Sequence, residues 1–306
     1  MTLTRPVAAL LLLICTALWG FAFVAQKTAM DSMGPLTFNS IRFLLGTIVI
    51  VPVAIWEWRR ANARPHFIVS RADWGVIVIL CLALFVENWL LQVGIISTTV
   101  TNSGFLISLY VLFVPMLAFA VFRTRPHPVL CLGVPLALAG IYLLNGARLD
   151  QFNRGDILVI IGAGFLAVQV LLLGFAVRRT GLPIFISALS FLAVGMLSLI
   201  FAFTLERPDL SGLSGGWMEV LYAGILSTAV AFTLQAVGQQ HVPPANAAII
   251  LSAESLFAAI GGALLLHERL DVIGYLGAAM IFAAIVMVEA VPQLLAQRRR
   301  PAVTES

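Results

Sequence analysis

Long apolar runs of roughly 20 residues, set apart by short polar breaks, recur along all 306 residues and leave almost no chain for anything else. A bilayer core about 30 Å thick is crossed by about 20 residues of helix, the conformation that bonds every backbone N–H and C=O within its own segment. Repeated runs of that length commit the chain to an all-α integral membrane protein. Composition agrees: 61% of the residues are hydrophobic and 10% charged, against roughly 25% charged in an ordinary soluble domain. The first run, Val7 to Gln26, follows Arg5 as a secretory signal would. Its apolar core exceeds the roughly 7 to 15 residues of that class, so it counts as the first span.

Cutting at the polar breaks predicts ten transmembrane helices, over 6–28, 35–55, 73–94, 99–122, 128–145, 155–175, 182–203, 216–238, 245–266 and 271–292. An even number returns both termini to one face. On that face fall Arg5, Arg59, Arg60, Arg64, Arg71, Arg123, Arg125, Arg178, Arg179, Arg298, Arg299 and Arg300; the other face holds Lys27, Arg148, Arg154, Arg207 and Arg269. Basic residues collect on the cytoplasmic side of a membrane protein, which predicts cytoplasmic termini in a multi-pass protein of the inner membrane. The basic residues form no stripe interleaved with aromatics, so nucleic acid is not an expected partner despite a pI near 9.3.

The last two helices of each half overlay at a constant shift of 144 residues, which brings Asn102 onto Asn246, Ser108 onto Ser252, Leu112-Phe113 onto Leu256-Phe257 and Leu132-Gly133 onto Leu276-Gly277. Five helices precede Gly146 and five follow it. Five is odd, so the second unit enters the membrane from the opposite face. The predicted architecture is two inverted five-helix repeats, 6–145 and 155–292, related by a pseudo-two-fold axis in the membrane plane with a site at their interface.

Particular stretches then resemble a known family. The opening "LWGFAFVAQKTAM", Leu18 to Met30, and "GPLTFNSIRFLLG", Gly34 to Gly46, carry Trp19, Gly20, Lys27 and Arg42. Together they resemble the start of the EamA domain of the drug/metabolite transporter superfamily. "RGDILVIIGAGFLAVQ", Arg154 to Gln169, resembles the start of that family's second repeat. "LSAESLFAAIGGALLLHERL", Leu251 to Leu270, resembles its ninth helix with Glu254 embedded and Glu268 in the terminal turn. The second repeat lacks the Trp-Gly pair, Ser190 stands where the internal alignment would put an Arg, and His267 stands where the family usually shows Gly. What the resemblance implies is a secondary transporter that moves a small organic solute, an amino acid or related metabolite, in the direction of export.

Polar residues inside the spans are the candidate site, because an ionisable group at bilayer depth costs on the order of 2.5 to 3.5 kcal/mol and has to face protein or water. On helix 3, Glu87, Asn88 and Gln92 project at about 0°, 100° and 140° and share one side. On helix 9, Ala247, Glu254, Ala258, Gly261 and Leu265 lie within about 60° of one another. On helix 4, Asn102, Leu106, Tyr110 and Phe113 share a face, and Tyr110 aligns with Glu254 across the repeat. These positions predict Glu254 and Glu87 as carboxyls that take up and release a coupling proton, with Gln92, Asn102, Tyr110, Gln235 and Asn246 orienting the solute. Arg42 is either the partner of Glu87 in a structural ion pair or a contact to substrate. Asn88, Gln169 and Gln235 are equally readable as amides that bond a neighbouring helix, and Ser108, Ser187 and Ser252 as packing. Trp19 reads first as a belt or packing residue, and Lys27, Glu268 and Arg269 as charges snorkelling at an interface.

No cofactor or metal is expected. "HERL" has one His only, His66, His127 and His241 stand alone, and the glycines of "IGGALL" are followed by no Lys-Ser/Thr pair, so neither a zinc helix nor a phosphate loop is present. Cys15, Cys81 and Cys131 have neither disulfide nor metal spacing and read as small packing residues. An importer of sugars or an uncoupled facilitator is the alternative within transport. A membrane enzyme would need an interfacial cluster of His, Asp or Lys, and a scaffold a substantial soluble segment, whereas the longest loop spans about 17 residues, 56–72. Helices 5 and 10, rich in Gly and Ala, are expected to pack on each other within one chain or between the chains of a homodimer.

Overall fold

The structure, a computed structural model, describes residues 4–65, 67–123, 128–144, 153–206, 208 and 215–298; His66, Arg125, His127, Gly146, Arg148, Arg207, Arg299 and Arg300 of the sequence reading lie outside them. The described residues are helical and include no strand. In chain order the helices are α1 (Arg5–Ala29), α2 (Pro35–Asn62), α3 (Arg71–Ser97), α4 (Val100–Ile107), α5 (Tyr110–Phe122), α6 (Leu130–Leu144), α7 (Arg154–Thr180) and α8 (Pro183–Leu205). They continue with α9 (Trp217–Leu221), α10 (Thr233–His241), α11 (Pro244–Ser252), α12 (Glu254–Leu265) and α13 (Val272–Arg298). Between α9 and α10 the chain is wound as a π-helix over Tyr222–Phe232. Taken as continuous segments, eight of these are long and apolar enough to cross a membrane among the described residues, and Val272–Ala284 forms a shorter apolar helix.

Three spans differ from the continuous helices the sequence pattern predicted. The one over 99–122 breaks at Ser108-Leu109 into α4 and α5, and the one over 245–266 breaks at Ala253 into α11 and α12. The first break has a local cause. Ser108 Oγ bonds back to Gly104 O at 2.8 Å and stands 3.5 Å from Ser252 O, while the next amides tighten to i−3 acceptors: Leu109 to Leu106 O at 3.2 Å, Val111 to Ser108 O at 3.1 Å. A serine bonded to its own helix competes with the ladder and bends it. The third span, 216–238, is continuous but π-wound in its middle, which apolar periodicity does not register.

Helix starts are written plainly in the sequence. Pro35, Pro183 and Pro244 open α2, α8 and α11, where a missing N–H is no loss. Ser70 with Asp73 and Asn153 with Asp156 close capping boxes on α3 and α7.

Helices pack in four long pairings: α3 along α7, α2 along α8, α6 along α13 and α1 along α12. Gly20 makes the last possible, since a Cβ there would sit 2.2 Å from Phe257 Cβ and 2.8 Å from Glu254 O. The Gly-rich face of α6 is consumed within the chain: a Cβ on Gly140 would lie 2.8 Å from Gly277 O on α13. Of the two packings expected for that face, the structure contains the intramolecular one.

Charged side chains finish the helix ends, and they do so in matched pairs. Glu206, following α8, accepts from Leu36 N at 2.8 Å and Thr37 N at 2.9 Å in the first turn of α2; Glu57, near the end of α2, accepts from Phe185 N at 2.7 Å in the first turn of α8. Lys27, at the end of α1, donates to Ile95 O, Ile96 O and Thr98 O at 2.7, 2.9 and 3.0 Å, closing the C-terminus of α3. Arg178, at the end of α7, donates in the same manner to Gln239 O at 3.2 Å and Val242 O at 3.1 Å beyond α10. Lys27 is therefore a C-terminal cap, correcting its reading as a snorkelling charge.

Glu268 is corrected likewise. It accepts from Val100 N at 2.8 Å, Thr101 N at 2.9 Å and Thr101 Oγ1 at 2.7 Å, capping α4 from beyond the end of α12. A turn aims it: Glu268 N bonds Gly262 O at 3.0 Å while His267 adopts φ 55°, the left-handed conformation that a helix-ending glycine provides without strain. Arg269, the third of these residues, is exposed. A His in that conformation carries a cost of order 1 kcal/mol against Gly. His267→Gly is expected to raise the melting temperature of the detergent-purified protein by about 2 °C, and His267→Val, β-branched at positive φ, to lower it; differential scanning fluorimetry measures both.

Candidate functional site

Carboxyls, amides and a guanidinium inside a hydrocarbon fold have few places to go, and here they meet around one internal cavity of about 40 Å³. Its walls come from both halves of the chain. α1 supplies Trp19, Phe23 and Gln26, α2 Arg42, α3 Glu87, Asn88 and Leu91, and α4 Ile107; α7 supplies Leu166, the π-helical segment Ser227 and Phe232, and α12 Glu254. That volume holds a few water molecules.

Arg42 is 2% exposed, and its charge is handled on three sides. Nε donates to Asn39 Oδ1 at 3.0 Å, Nη2 donates to Asn88 Oδ1, and the guanidinium stands 4.8 Å from the ring centroid of Phe43 and 5.4 Å from that of Phe38. Asn39, one helical turn before Arg42, also donates Nδ2 to Asn88 O at 3.1 Å, so one residue holds both the cation and the helix opposite. Glu87 does not touch Arg42. Among the described residues the single ion pair within 4.0 Å joins Arg179 to Asp73 at 2.6 Å, at the rim of the bundle. Asn88 stands between the two charges, donating Nδ2 to Glu87 Oε2 and to Leu84 O at 2.9 Å.

Glu254 opens α12 at the mid-span break, so a helix N-terminus begins at the cavity wall. Its Oε1 is buried and has no hydrogen-bond partner. An oxygen left unsatisfied at that depth is costly, and the cavity is the one side from which a ligand or a proton reaches this carboxyl. Trp19 closes the wall beside it: Nε1 donates to Ser227 O at 3.0 Å, and the indole meets the Phe232 ring edge-on at 4.6 Å. Trp19 is buried among core residues, which removes the belt reading and keeps the packing one.

Of the residues singled out in the sequence, Trp19, Arg42, Glu87, Asn88 and Glu254 line this cavity. Gln92 lies one layer out, donating Nε2 to Gln26 O at 3.0 Å. Tyr110 is buried in the core and donates its hydroxyl to Ala248 O at 3.2 Å, tying the start of α5 to α11. Gln235 faces Gln169, and the two amides bond one another at 3.2 Å in both directions. Asn102 lies in the first turn of α4, its N–H on Thr99 Oγ1 at 3.0 Å, and Asn246 in the first turn of α11; both are half-buried and away from the cavity. The residues that pattern reasoning passed over are Gln26, Asn39, Ser227 and Phe232. Asn39 was detectable, because a polar residue three positions before a buried Arg shares its face. Ser227 contributes a main-chain oxygen exposed by π-winding, which no residue type announces.

The model of a family described as the EamA-like transporter family matches residues 6–146 and again 153–290. An uncharacterized transporter of Archaeoglobus fulgidus is 29% identical over 286 residues, covering 93% of this chain and 86% of the relative. The uncharacterized transporter YwfM of Bacillus subtilis is 27% identical over 93% of this chain and 94% of its own. A crystal structure at 19% identity superposes with a TM-score of 0.70, covering 96% of this chain and 99% of the other, a likeness of fold alone.

Asn39 tests the local geometry without touching the cavity. Asn39→Ala strands Arg42 Nε in a buried setting and is expected to cost about 1–3 kcal/mol, read as a lowered melting temperature, whereas Asn39→Asp, which keeps the acceptor, is expected to lose less.

Proposed function

This chain belongs to the EamA-like transporter family, and on that premise we propose that it is a secondary transporter of ten spans, built as two inverted five-helix repeats, that exports an amino acid or a related small zwitterion by alternating access. The reciprocal caps support the inversion. Glu206 on α2 answers Glu57 on α8, and Lys27 on the end of α3 answers Arg178 on the end of α10, each pair exchanging the two halves of the sequence. The mid-span breaks, 144 residues apart and meeting at Ser108 and Ser252, support it independently. The excess of Lys and Arg on one set of loops supports a cytoplasmic membrane location with both termini inside.

One observation carries the solute class: a guanidinium and a carboxyl, Arg42 and Glu254, line the same cavity, together with the aromatic rings of Trp19, Phe23 and Phe232. A zwitterion offers the complementary pair, a carboxylate for Arg42 Nη1 and an ammonium for Glu254. The same Glu254 is the proton carrier in this reading. Its unpartnered oxygen accepts either a proton or the ammonium of the solute, so occupancy by one displaces the other and the two move in opposite directions. Glu87, held by Asn88, is the second carboxyl of the exchange. Gln92, Asn102, Tyr110, Gln235 and Asn246 act in this scheme chiefly by fixing the spans that frame the cavity, Gln92 through Gln26.

The test is reconstitution into liposomes with a panel of radiolabelled L-amino acids. Wild-type protein is expected to show counterflow of at least one of them and accumulation driven by a pH gradient. Glu254→Gln is expected to lose gradient-driven accumulation at least tenfold. Unchanged rate and pH dependence in that variant removes Glu254 from the proton role, and counterflow of no amino acid removes the solute class.

A further inference from the structure

Asn88 occupies the one point where the positive and negative groups of the cavity would otherwise meet. Its side chain is 3% exposed and uses both ends of the amide: the oxygen accepts from Arg42 Nη2, and the nitrogen donates to Glu87 Oε2. A second bond from that nitrogen to Leu84 O at 2.9 Å fixes the orientation of the amide, and Asn39 Nδ2 on the main-chain O of Asn88 at 3.1 Å ties this turn of α3 to α2. An amide is the group of this size that serves a cation with one end and an anion with the other. A carboxylate in its place has acceptors only, and an aliphatic side chain has nothing for either neighbour.

Left facing each other in a low-dielectric interior, a guanidinium and a carboxylate pair directly, and the pair is then spent. In this structure they do not. Arg42 keeps Nη1 and Glu87 keeps Oε1 free of protein partners, and both residues line the cavity. We infer that Asn88 is a positioning residue that holds Arg42 and Glu87 apart, so that each remains available to a ligand in place of neutralising the other. This rests on the reading of the cavity as the transport site.

The consequence is a coupling that depends on what stands at position 88. Without the amide, Glu87 captures Arg42, and removing the charge of Glu87 then strands a buried cation. With a carboxylate there, Asn88→Asp, Arg42 is captured by the new group, two carboxylates become neighbours, and removing the charge of Glu87 relieves repulsion. The same second substitution therefore acts with opposite sign in the two backgrounds.

Melting temperatures of the detergent-purified protein test this without any solute. Glu87→Gln is expected to shift the wild-type value by less than about 2 °C, to lower it by at least about 4 °C on top of Asn88→Leu, and to raise it on top of Asn88→Asp. Asn88→Asp conserves volume and keeps the comparison alive if Asn88→Leu does not fold. An equal effect of Glu87→Gln in every background that folds overturns the proposal, since Asn88 then does not stand between the two charges. A second arm measures exchange of an equimolar tritiated mixture of L-amino acids in proteoliposomes. Asn88→Leu is expected to raise the half-saturating concentration at least tenfold with the maximal rate within threefold, and Asn88→Leu/Glu87→Gln to recover at least half of that loss on a logarithmic scale by freeing Arg42. No recovery, with exchange present in wild type, overturns the proposal as well. Absence of wild-type exchange with the sign reversal intact contradicts the transport reading and leaves the role of Asn88 supported.

Discussion

A hydrocarbon environment supplies no hydrogen bonds, so helix ends and charges in this fold turn to other parts of the chain. That single constraint shapes both the periphery and the centre. At the periphery several ends are covered by distant side chains. Lys27 covers three carbonyls at the end of α3, Glu206 covers two amides at the start of α2, and Glu268 covers two at the start of α4. Several of these join helices that are remote in sequence, so the caps act as tertiary fasteners as well as local ones. At the centre the answer is left incomplete. Glu254 has an oxygen with no partner, and Arg42 and Glu87 each keep a group that faces open space.

Where polar groups are paired, as in the Gln169–Gln235 amide pair or the Tyr110 bond to Ala248 O, they hold helices together. Among the described residues buried oxygens without a partner also occur on Gln26, Gln92 and Gln239; Glu254 is the carboxyl among them, and it lines the cavity.

Much of this was legible in the residues. Segment length and apolarity gave the eight long apolar segments among the described residues, because crossing a bilayer fixes both. Depth gave Arg42, Glu87 and Glu254, because charge in hydrocarbon is too expensive to be incidental. What periodicity missed are departures from the ideal helix. The break at Ser108, the break at Ala253 and the π-winding over Tyr222–Phe232 preserve an apolar pattern while changing which way a face points. Tyr110 and Gln235 sit on faces the regular 100° step aims inward, yet the first turns to a carbonyl of α11 and the second to an amide of α7. Interfacial charges were misread for a related reason. Lys27 and Glu268 look like solvated ends in a linear sequence, and only the return of a distant helix end gives them their carbonyls and amides.

Tyr110 and Glu254 occupy the same register 144 residues apart, each opening the second half of a broken span, yet one is a phenol bonded to a carbonyl and the other a carboxyl facing the cavity. On the reading proposed above, in which two inverted halves exchange roles, a carboxyl on one side and a phenol on the other bias the empty protein toward one of its two postures.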